Sequence, residues 1–370
     1  MKILLLAKAY PPETGGVETY SEQVATAYER AGHTVTVLTA HPGPLGTAAR
    51  GTISVVNVGQ HGGQPAVFAR MLKHLWSIRK KTFAVVHATT WRAALPALFL
   101  RRSLPLVVTI HGREVFVVPT PLRPLMHMVL KHGRHFPTVS QIILEKFEDD
   151  LGYKLEGAFA NWNGVSFETA CTEPRQEEDA DTSKLEIFCM CRQVPRKNLD
   201  GAIRAAATLV ECGNRLRFRI AGSGPENKRL HALVDELGMG EHIHLLGRVD
   251  DEEIIPLYRS SHVFLHPQIA TRGGQDMEGF GLTIADAMSF GCVPIAGASG
   301  GPLDFIEHGT SGFLVDGTRQ NEIIDALTTL VSDPERRKSI GLTAQAFAQK
   351  EITWDMHVTK IIDRLNTDLR

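Results

Sequence analysis

Apolar runs of strand length alternate with helix-patterned stretches along nearly the whole chain, and the alternation occurs twice. KILLLAKAY (2–10) leads through Pro11-Pro12 and Gly15-Gly16 into a helical pattern from Val17 to Ala31. HTVTVLTA (33–40), TISVVNV (52–58), FAVVHA (83–88), PLVVTIHG (105–112) and HFPTVS (135–140) read as further strands. Helices are expected around 66–80, over 91–101, near 121–133 and over 141–151. Strands alternating with helices make a parallel sheet covered on both faces, and ligands of such sheets collect at the carboxyl ends of strands.

The pattern restarts at LEIFCMCR (185–192). NLDGAIRAAATLVE (198–211) reads as a helix, RFRIAG (217–222) and HIHLLGRV (242–249) as strands, and DDEEIIPLYRS (250–260) as a helix. HVFLHP (262–267), CVPIAG (292–297) and the end of SGGPLDFIEHGTSGFLVD (299–316) complete the strands, and helices over about 319–332, 335–349 and 353–367 follow. At 370 residues the chain is longer than one core usually serves. The expected divisions are a first domain over 1–167, an acidic linker over 168–184 almost free of large apolar side chains, and a second domain over 185–352. The last helix, within 353–370, has Trp354 as an anchor for crossing back to the first domain.

Composition narrows the class. Hydrophobic residues make up 43% and charged residues 22%, as in a soluble globular protein, and no apolar run approaches a membrane span. The apolar core of MKILLLAKAYPP is too short for a secretory signal, so a cytoplasmic chain is expected. Five cysteines without a C-x-x-C argue for reduced thiols and no structural metal, with Cys189 and Cys191 as core or lining residues. Charge is uneven: residues 1–165 hold 18 Lys and Arg against 10 Asp and Glu, and the remainder 22 against 31. Within the basic half, 68–81 and 122–135 form basic, apolar-faced segments. They suit either an anionic membrane surface or acceptor, or a solvated helix face on a core. Nucleic acid is disfavoured, because the cations are not interleaved with aromatics and no binding module appears.

The densest chemistry lies in RGGQDMEGFGLTIADAMSFG (272–291). Glu278 stands before Gly279-Phe280-Gly281, and Leu282 opens a helical pattern with Asp286 inside its second turn. The first N–H groups of a helix lack intrahelical partners, and flanking glycines let an anion approach them. A carboxylate beside that anion suits hydroxyls attached to a phosphate better than the phosphate itself. Arg192 at a strand end, with Arg196-Lys197 ahead of the next helix, makes a site for diphosphate. His111-Gly112 lies at another strand end, where the imidazole can meet a substrate hydroxyl or cap the next helix. GSGPEN (222–227) has Asn227 where a dinucleotide fingerprint has its third glycine, which disfavours a nicotinamide enzyme.

These elements, in their order, resemble the retaining glycosyltransferases of GT-B fold, family GT4. The shared elements are PPETGGVE, TIHG, NGV (163–165), Arg192 to Lys197, GSGPE, LGRV, EGFG and the GG-x-x-D before HGTSGFLV. The resemblance implies two Rossmann-like domains facing each other across a cleft. It also implies transfer of a hexose from a GDP- or UDP-sugar to a glycan or lipid-linked saccharide acceptor, with retention of anomeric configuration and no metal or other cofactor. Arg192 and Lys197 would hold the diphosphate, Glu278 a hexose hydroxyl, and the backbone from Gly279 through Phe280 and Gly281 to Leu282 the phosphate and sugar. Asp286 replaces the family's second glutamate at the ribose, Arg248-Val249 would meet the base, and Gly15, Gly16 and His111 would approach diphosphate, acceptor and transferred sugar. Asn198 replaces a glycine common after the lysine. The same residues also fit a non-catalytic binding subunit, or a hydrolase or phosphorylase of the same fold. The glycine pair after Arg272 further suggests a loop that orders when donor binds.

Overall fold

The computed structural model describes residues 1–370 except Thr14, 79–81, 101–103, Thr169, 173–183 and 368–370. The chain divides into two compact units, Met1–Ser166 together with Trp354–Arg370, and Phe167–Thr353. Among the described residues no helix is long and apolar enough to cross a membrane.

In the first unit the chain runs β1 (Lys2–Ala7), α1 (Gly16–Arg30), β2 (Thr34–Thr39), β3 (Gly46–Arg50), β4 (Ile53–Asn57), α2 (Gly63–Ile78), β5 (Val85–Ala88) and α3 (Trp91–Ala94). It continues through β6 (Leu106–Val108), α4 (Arg113–Phe116), α5 (Arg123–His132), β7 (Phe136–Thr138), α6 (Gln141–Leu151) and β8 (Ala158–Ala160). The sheet order is β3-β4-β2-β1-β5-β6, parallel except for the β3–β4 pair. Parallel bridges from Val107 to His135 and from Ile110 to Thr138 carry it on to the β7–β8 pair. Two expectations change here. Residues 46–50, unassigned from sequence, form an antiparallel edge strand whose residues are all exposed, so no apolar alternation marks it. The helix expected over 91–101 is one α turn followed by a 3-10 segment, Leu95–Phe99, with Pro96 at its start.

In the second unit the order in the chain is β9 (Leu185–Met190), α7 (Leu199–Glu211), β10 (Leu216–Ala221), α8 (Asn227–Glu236), β11 (Ile243–Gly247), α9 (Asp251–Arg259) and β12 (Val263–His266). Then come α10 (Leu282–Ser289), β13 (Val293–Gly297), β14 (Phe313–Val315), α11 (Gln320–Ser332) and α12 (Pro334–Glu351). The sheet, β11-β10-β9-β12-β13-β14, is parallel throughout. The chain leaves β9 toward β10 and β11 and returns as β12 on the other side, so the order reverses between β9 and β12. Loops diverge at such a point and leave a crevice at the strands' carboxyl ends. Part of the stretch expected as linker is packed into this unit. Phe167, expected as the end of the first domain, also belongs to this unit and sets its ring 6.2 Å from Tyr258 and 6.3 Å from Phe290. Ala170–Thr172 form a 3-10 turn whose Ala170 and Cys171 carbonyls accept from Arg259 (2.9 Å) and Gln349 (2.7 Å). The remaining linker residues over 173–183 lie outside the described residues.

α13 (Trp354–Thr367) belongs to the first unit and packs on α1. A Cβ on Gly164 would lie 2.2 Å from the Trp354 backbone nitrogen, so glycine is what lets the helix approach. The Trp354 indole donates to the Val165 carbonyl at 3.0 Å. Below it runs a buried chain of hydrogen bonds whose direction follows from the carbonyl at its end, since the Trp162 carbonyl only accepts. His357 Nδ1–H therefore donates to it (2.8 Å), and His357 Nε2 accepts from the Tyr20 hydroxyl (3.0 Å). Thr109 donates to Tyr20 Oη (2.7 Å), His87 Nε2–H donates to Thr109 (2.8 Å), and Tyr28 donates to His87 Nδ1 (3.0 Å). Both imidazoles are neutral in this arrangement. Burial lowers His87 to about 3, with His357 and His111 adding to the shift, and burial likewise lowers His357 to about 4.

Candidate functional site

The loops leaving β9 and β12 bring the charged residues of the second unit together. After β9 the chain passes Arg192 and a 3-10 turn, Pro195–Lys197, before α7 begins. Asn198, between turn and helix, has φ 51°, a left-handed conformation that asparagine and glycine tolerate best. Its amide donates to the carbonyls of Pro267 (3.1 Å) and Gly317 (2.7 Å), which ties the turn to the β12 loop. The asparagine thus meets the backbone requirement of the glycine it replaces and adds two anchors.

Lys197, 7% exposed, directs Nζ at Glu278 Oε2. Arg196 donates from a terminal nitrogen to the same oxygen at 2.9 Å, and its Nε lies 3.4 Å from Asp276 Oδ1. The Glu278 side chain is 13% exposed. Burial pushes its carboxyl up, but Lys197, Arg196 and His266 outweigh this and hold it well below the usual carboxylate range. It is therefore a carboxylate at every physiological pH. Among the described residues both cations converge on Oε2 rather than Oε1.

Glycines seat this cluster by allowing backbone to pass backbone. A Cβ on Gly300, where φ is 79°, would stand 2.0 Å from the Glu278 carbonyl oxygen, and the Gly301 N–H donates to that oxygen at 3.0 Å. The same logic explains GSGPEN: a Cβ on Gly222 would lie 2.1 Å from the Cys191 oxygen, and one on Gly224 2.2 Å from the Gln193 oxygen. Asn227 donates to Gln193 Oε1 (2.9 Å), a use that the missing third glycine could not have served. The Gly222 N–H donates to the Gly247 carbonyl (2.6 Å), which sets Arg248-Val249 beside this turn.

The remaining expected residues fall as follows. Arg192 is exposed just past β9 and stands outside the Lys197–Arg196–Glu278 cluster. Gly281 has φ 96° and opens α10, while Gly279 and Leu282 on either side are half-buried. Phe280 turns its ring inward, 5.1 Å from that of Phe305. Asp286 is buried within α10, where after burial itself it is the next cause raising the Tyr258 phenol well above its ordinary value. Thr271 and Asp276 exchange backbone hydrogen bonds of 2.9 and 3.2 Å, and Arg272, Gly273 and Gly274 between them all have positive φ.

Asp276 and His266 join this site beyond the residues to which the sequence points. Arg196, expected beside Lys197 at a site for diphosphate, shares the Glu278 oxygen with it. Asp276 steadies Arg196. Buried His266, hydrogen-bonded through Nδ1 to Gln268 Oε1 (2.8 Å), ends β12 and contributes to the potential at Glu278. Its position at a strand's carboxyl end is the signal that marked His111 and could have found it.

In the first unit, Gly15 and Gly16 are exposed at the start of α1, with Gly15 as its N-cap. His111 is half-buried beyond β6. Its ring meets that of Tyr20 edge-on at 4.7 Å, and Nε2–H donates to the Thr89 carbonyl at 2.8 Å. A neutral His111 consequently presents Nδ1 as an acceptor. The backbone N–H of His111 is taken by Glu114 Oε1 (2.6 Å), so here a glutamate reaches back and the histidine ring does no capping.

Comparison with known proteins agrees with this architecture. Residues 14–168 match the family described as Glycosyltransferase Family 4, and residues 172–347 match Glycosyl transferases group 1. The chain is 24% identical, over 99% of its length and 98% of the relative's, to a Mycobacterium tuberculosis GDP-mannose-dependent alpha-(1-6)-phosphatidylinositol monomannoside mannosyltransferase. It is 25% identical to the putative colanic acid biosynthesis glycosyltransferase WcaL of Escherichia coli K12, over 75% of this chain and 61% of that one. Among solved structures, Anabaena HepE in complex with UDP and glucose superposes with a TM-score of 0.78 at 21% identity, covering 99% of this chain and 100% of that one. Sucrose-phosphate synthase from Thermosynechococcus elongatus gives 0.78 at 18% identity, covering 100% and 98%. With matches to both halves of one family and a shared fold along its whole length, the chain belongs to the group 1 glycosyltransferases of family 4 and has the GT-B fold.

Proposed function

We propose that the protein transfers a hexose, with retention, from a nucleotide-diphosphate sugar to a hydroxyl of a glycan or lipid-linked saccharide, and that the donor is GDP-mannose. The observation that carries the reading is the convergence of Lys197 and Arg196 on one oxygen of Glu278, at the sheet's reversal point. Two cations held close to a helix start suit a diphosphate, and the Oε1 side of Glu278 suits a hydroxyl of the sugar. As the sugar–phosphate bond breaks, negative charge grows on the leaving phosphate, and cations fixed beforehand stabilise it without reorganising. The acceptor hydroxyl attacks from the face that the diphosphate leaves and gives its proton to that phosphate. Within the first unit, His111 Nδ1, an acceptor while neutral, suits a sugar hydroxyl, and Gly15 and Gly16 leave backbone open to a ligand. Arg192 supplies a further exposed cation for the diphosphate, Asp286 the ribose contact and Arg248-Val249 the backbone beside the base. In this reading the cations and the start of α10 serve in place of a metal ion.

GDP-mannose is favoured over UDP-sugars because the mycobacterial relative, matched over nearly its whole length, is named for that donor. Calorimetry of the full chain against a panel of GDP-, UDP- and ADP-sugars tests the donor. Release of nucleotide is then followed with and without a mannosyl acceptor. GDP-mannose binding at least tenfold tighter than the others, with acceptor-dependent release and unchanged turnover in EDTA, is the expected outcome. Release without acceptor indicates a hydrolase, and binding with no release a non-catalytic subunit; either overturns the proposal.

A further inference from the structure

One side of the first unit combines exposed apolar side chains with cations and very little acid. The 3-10 segment Leu95–Phe99 packs against both α2 and α5, so the three elements adjoin. Along α2, Val67, Met71, Leu75 and Ile78 are buried as one apolar stripe. The neighbouring stripe of Phe68, Leu72 and Trp76, spaced one turn apart, is left half or fully exposed, with Trp76 at 61%. Phe99 is 62% exposed and lies 6.2 Å from the Phe68 ring. On α5, Met126 and Val129 face inward while Leu125 and Met128 are exposed. A single exposed apolar residue is ordinary, but a run of them over three adjoining elements marks an interaction surface.

Charge identifies what the surface meets. Between residues 31 and 144 the chain carries thirteen Lys and Arg and one carboxylate, Glu114. That carboxylate is engaged by the His111 N–H. α2 and α5 contain no Asp or Glu, and Lys73, Arg123 and Lys131 are exposed on them. A second copy of the chain would bring like charge against like, so self-association through this face is opposed. An anionic layer with an apolar interior complements both properties.

We infer that this face docks on an anionic phospholipid bilayer, with Trp76, Phe99, Leu125 and Met128 entering the boundary between headgroups and acyl chains while the cations lie among the phosphates. The inference stands apart from the proposed transfer, because it uses no residue assigned to donor or acceptor. Residues 79–81 of the basic segment and 101–103 lie outside the described residues, and Lys73, Arg123 and Lys131 are the cations described as exposed on α2 and α5.

The test is sedimentation of the full chain, without nucleotide sugar, with vesicles of phosphatidylcholine alone or containing about 30 mol% phosphatidylglycerol. Binding is expected to the anionic vesicles and to fall about tenfold or more as salt is raised toward 0.5 M. Trp91 and Trp354 are buried and Trp162 is half-buried, so a blue shift of tryptophan emission on binding reports Trp76. The pair Trp76→Ser and Phe99→Ser should abolish the shift and lower binding about tenfold or more. The pair Lys73→Glu and Lys131→Glu should weaken binding similarly while leaving transfer to a soluble acceptor unchanged. Equal binding to neutral vesicles, insensitivity to both pairs, or a concentration-dependent dimer that the Trp76→Ser, Phe99→Ser pair dissolves would overturn the inference.

Discussion

Glu278 shows how one carboxylate serves stability and chemistry together. Its charge is held by Lys197 and Arg196, so Glu278→Gln takes the carboxylate from Lys197 at a largely buried position and leaves Arg196 to Asp276. A loss of about 3 kcal/mol at pH 7 is expected from breaking such a pair, measured by denaturant unfolding. Because the folded carboxyl sits below its unfolded value, this contribution is present above about pH 4 and disappears as pH falls further, so variant and wild type should converge in acid. Lys197→Ala and Arg196→Ala should each lower kcat/KM roughly 100-fold, and near-normal rates would remove the proposed role of the cluster. Gly300→Ala tests the seat beneath Glu278. The new Cβ would meet the Glu278 carbonyl, and a loss of kcat of about 100-fold with donor affinity also weakened is expected from steady-state kinetics. The sequence made Lys197 and Glu278 legible through their settings, a strand end before a helix and a glycine-flanked carboxylate. It could not show that Gly300, more than twenty residues on, underlies Glu278, because that contact exists only once β12 and β13 pair.

Elements whose partners lie nearby in the sequence were the easiest to read. Largely apolar runs marked β1, β9 and β12, since strands buried on both faces need no alternation, while β2 alternates threonine with valine. β3 escaped because an exposed edge strand leaves no apolar trace, and the helix over 91–101 was cut short by Pro96. α13 illustrates the opposite case: its apolar anchor was visible, whereas the groove that takes it depends on Gly164, nearly two hundred residues earlier. Gly164→Ala should push Trp354 outward and cost about 1–3 kcal/mol in the first unit, read as faster hydrogen exchange across α13 and α1. Unchanged exchange would show that the helix adapts without loss.

At the scale of the molecule, the buried histidines set a pH limit. His87 and His357 are neutral when folded, with values near 3 and 4, whereas the unfolded chain protonates histidine near 6.5. Between those limits the unfolded state binds more protons, so stability is complete above about pH 6.5 and falls with acidification by of order 1 kcal/mol per pH unit for each histidine. Thermal melting from pH 7 to pH 4 should show this decline, and His357→Gln should be less stable at pH 7 but lose less on acidification. Equal slopes for variant and wild type would exclude His357 as a source of the effect.

The first unit is assembled from residues 1–166 and 354–370, with the second unit lying wholly between them in the chain. On a ribosome, Tyr20 and the Trp162 carbonyl emerge long before His357, the group that joins them. The second unit is contiguous and needs no residue beyond Thr353, whereas the first must wait for α13. A released chain cut before Trp354 would therefore carry a whole second unit behind a first unit still open to chaperones and proteases, because the segment made first waits on α13 for its closure.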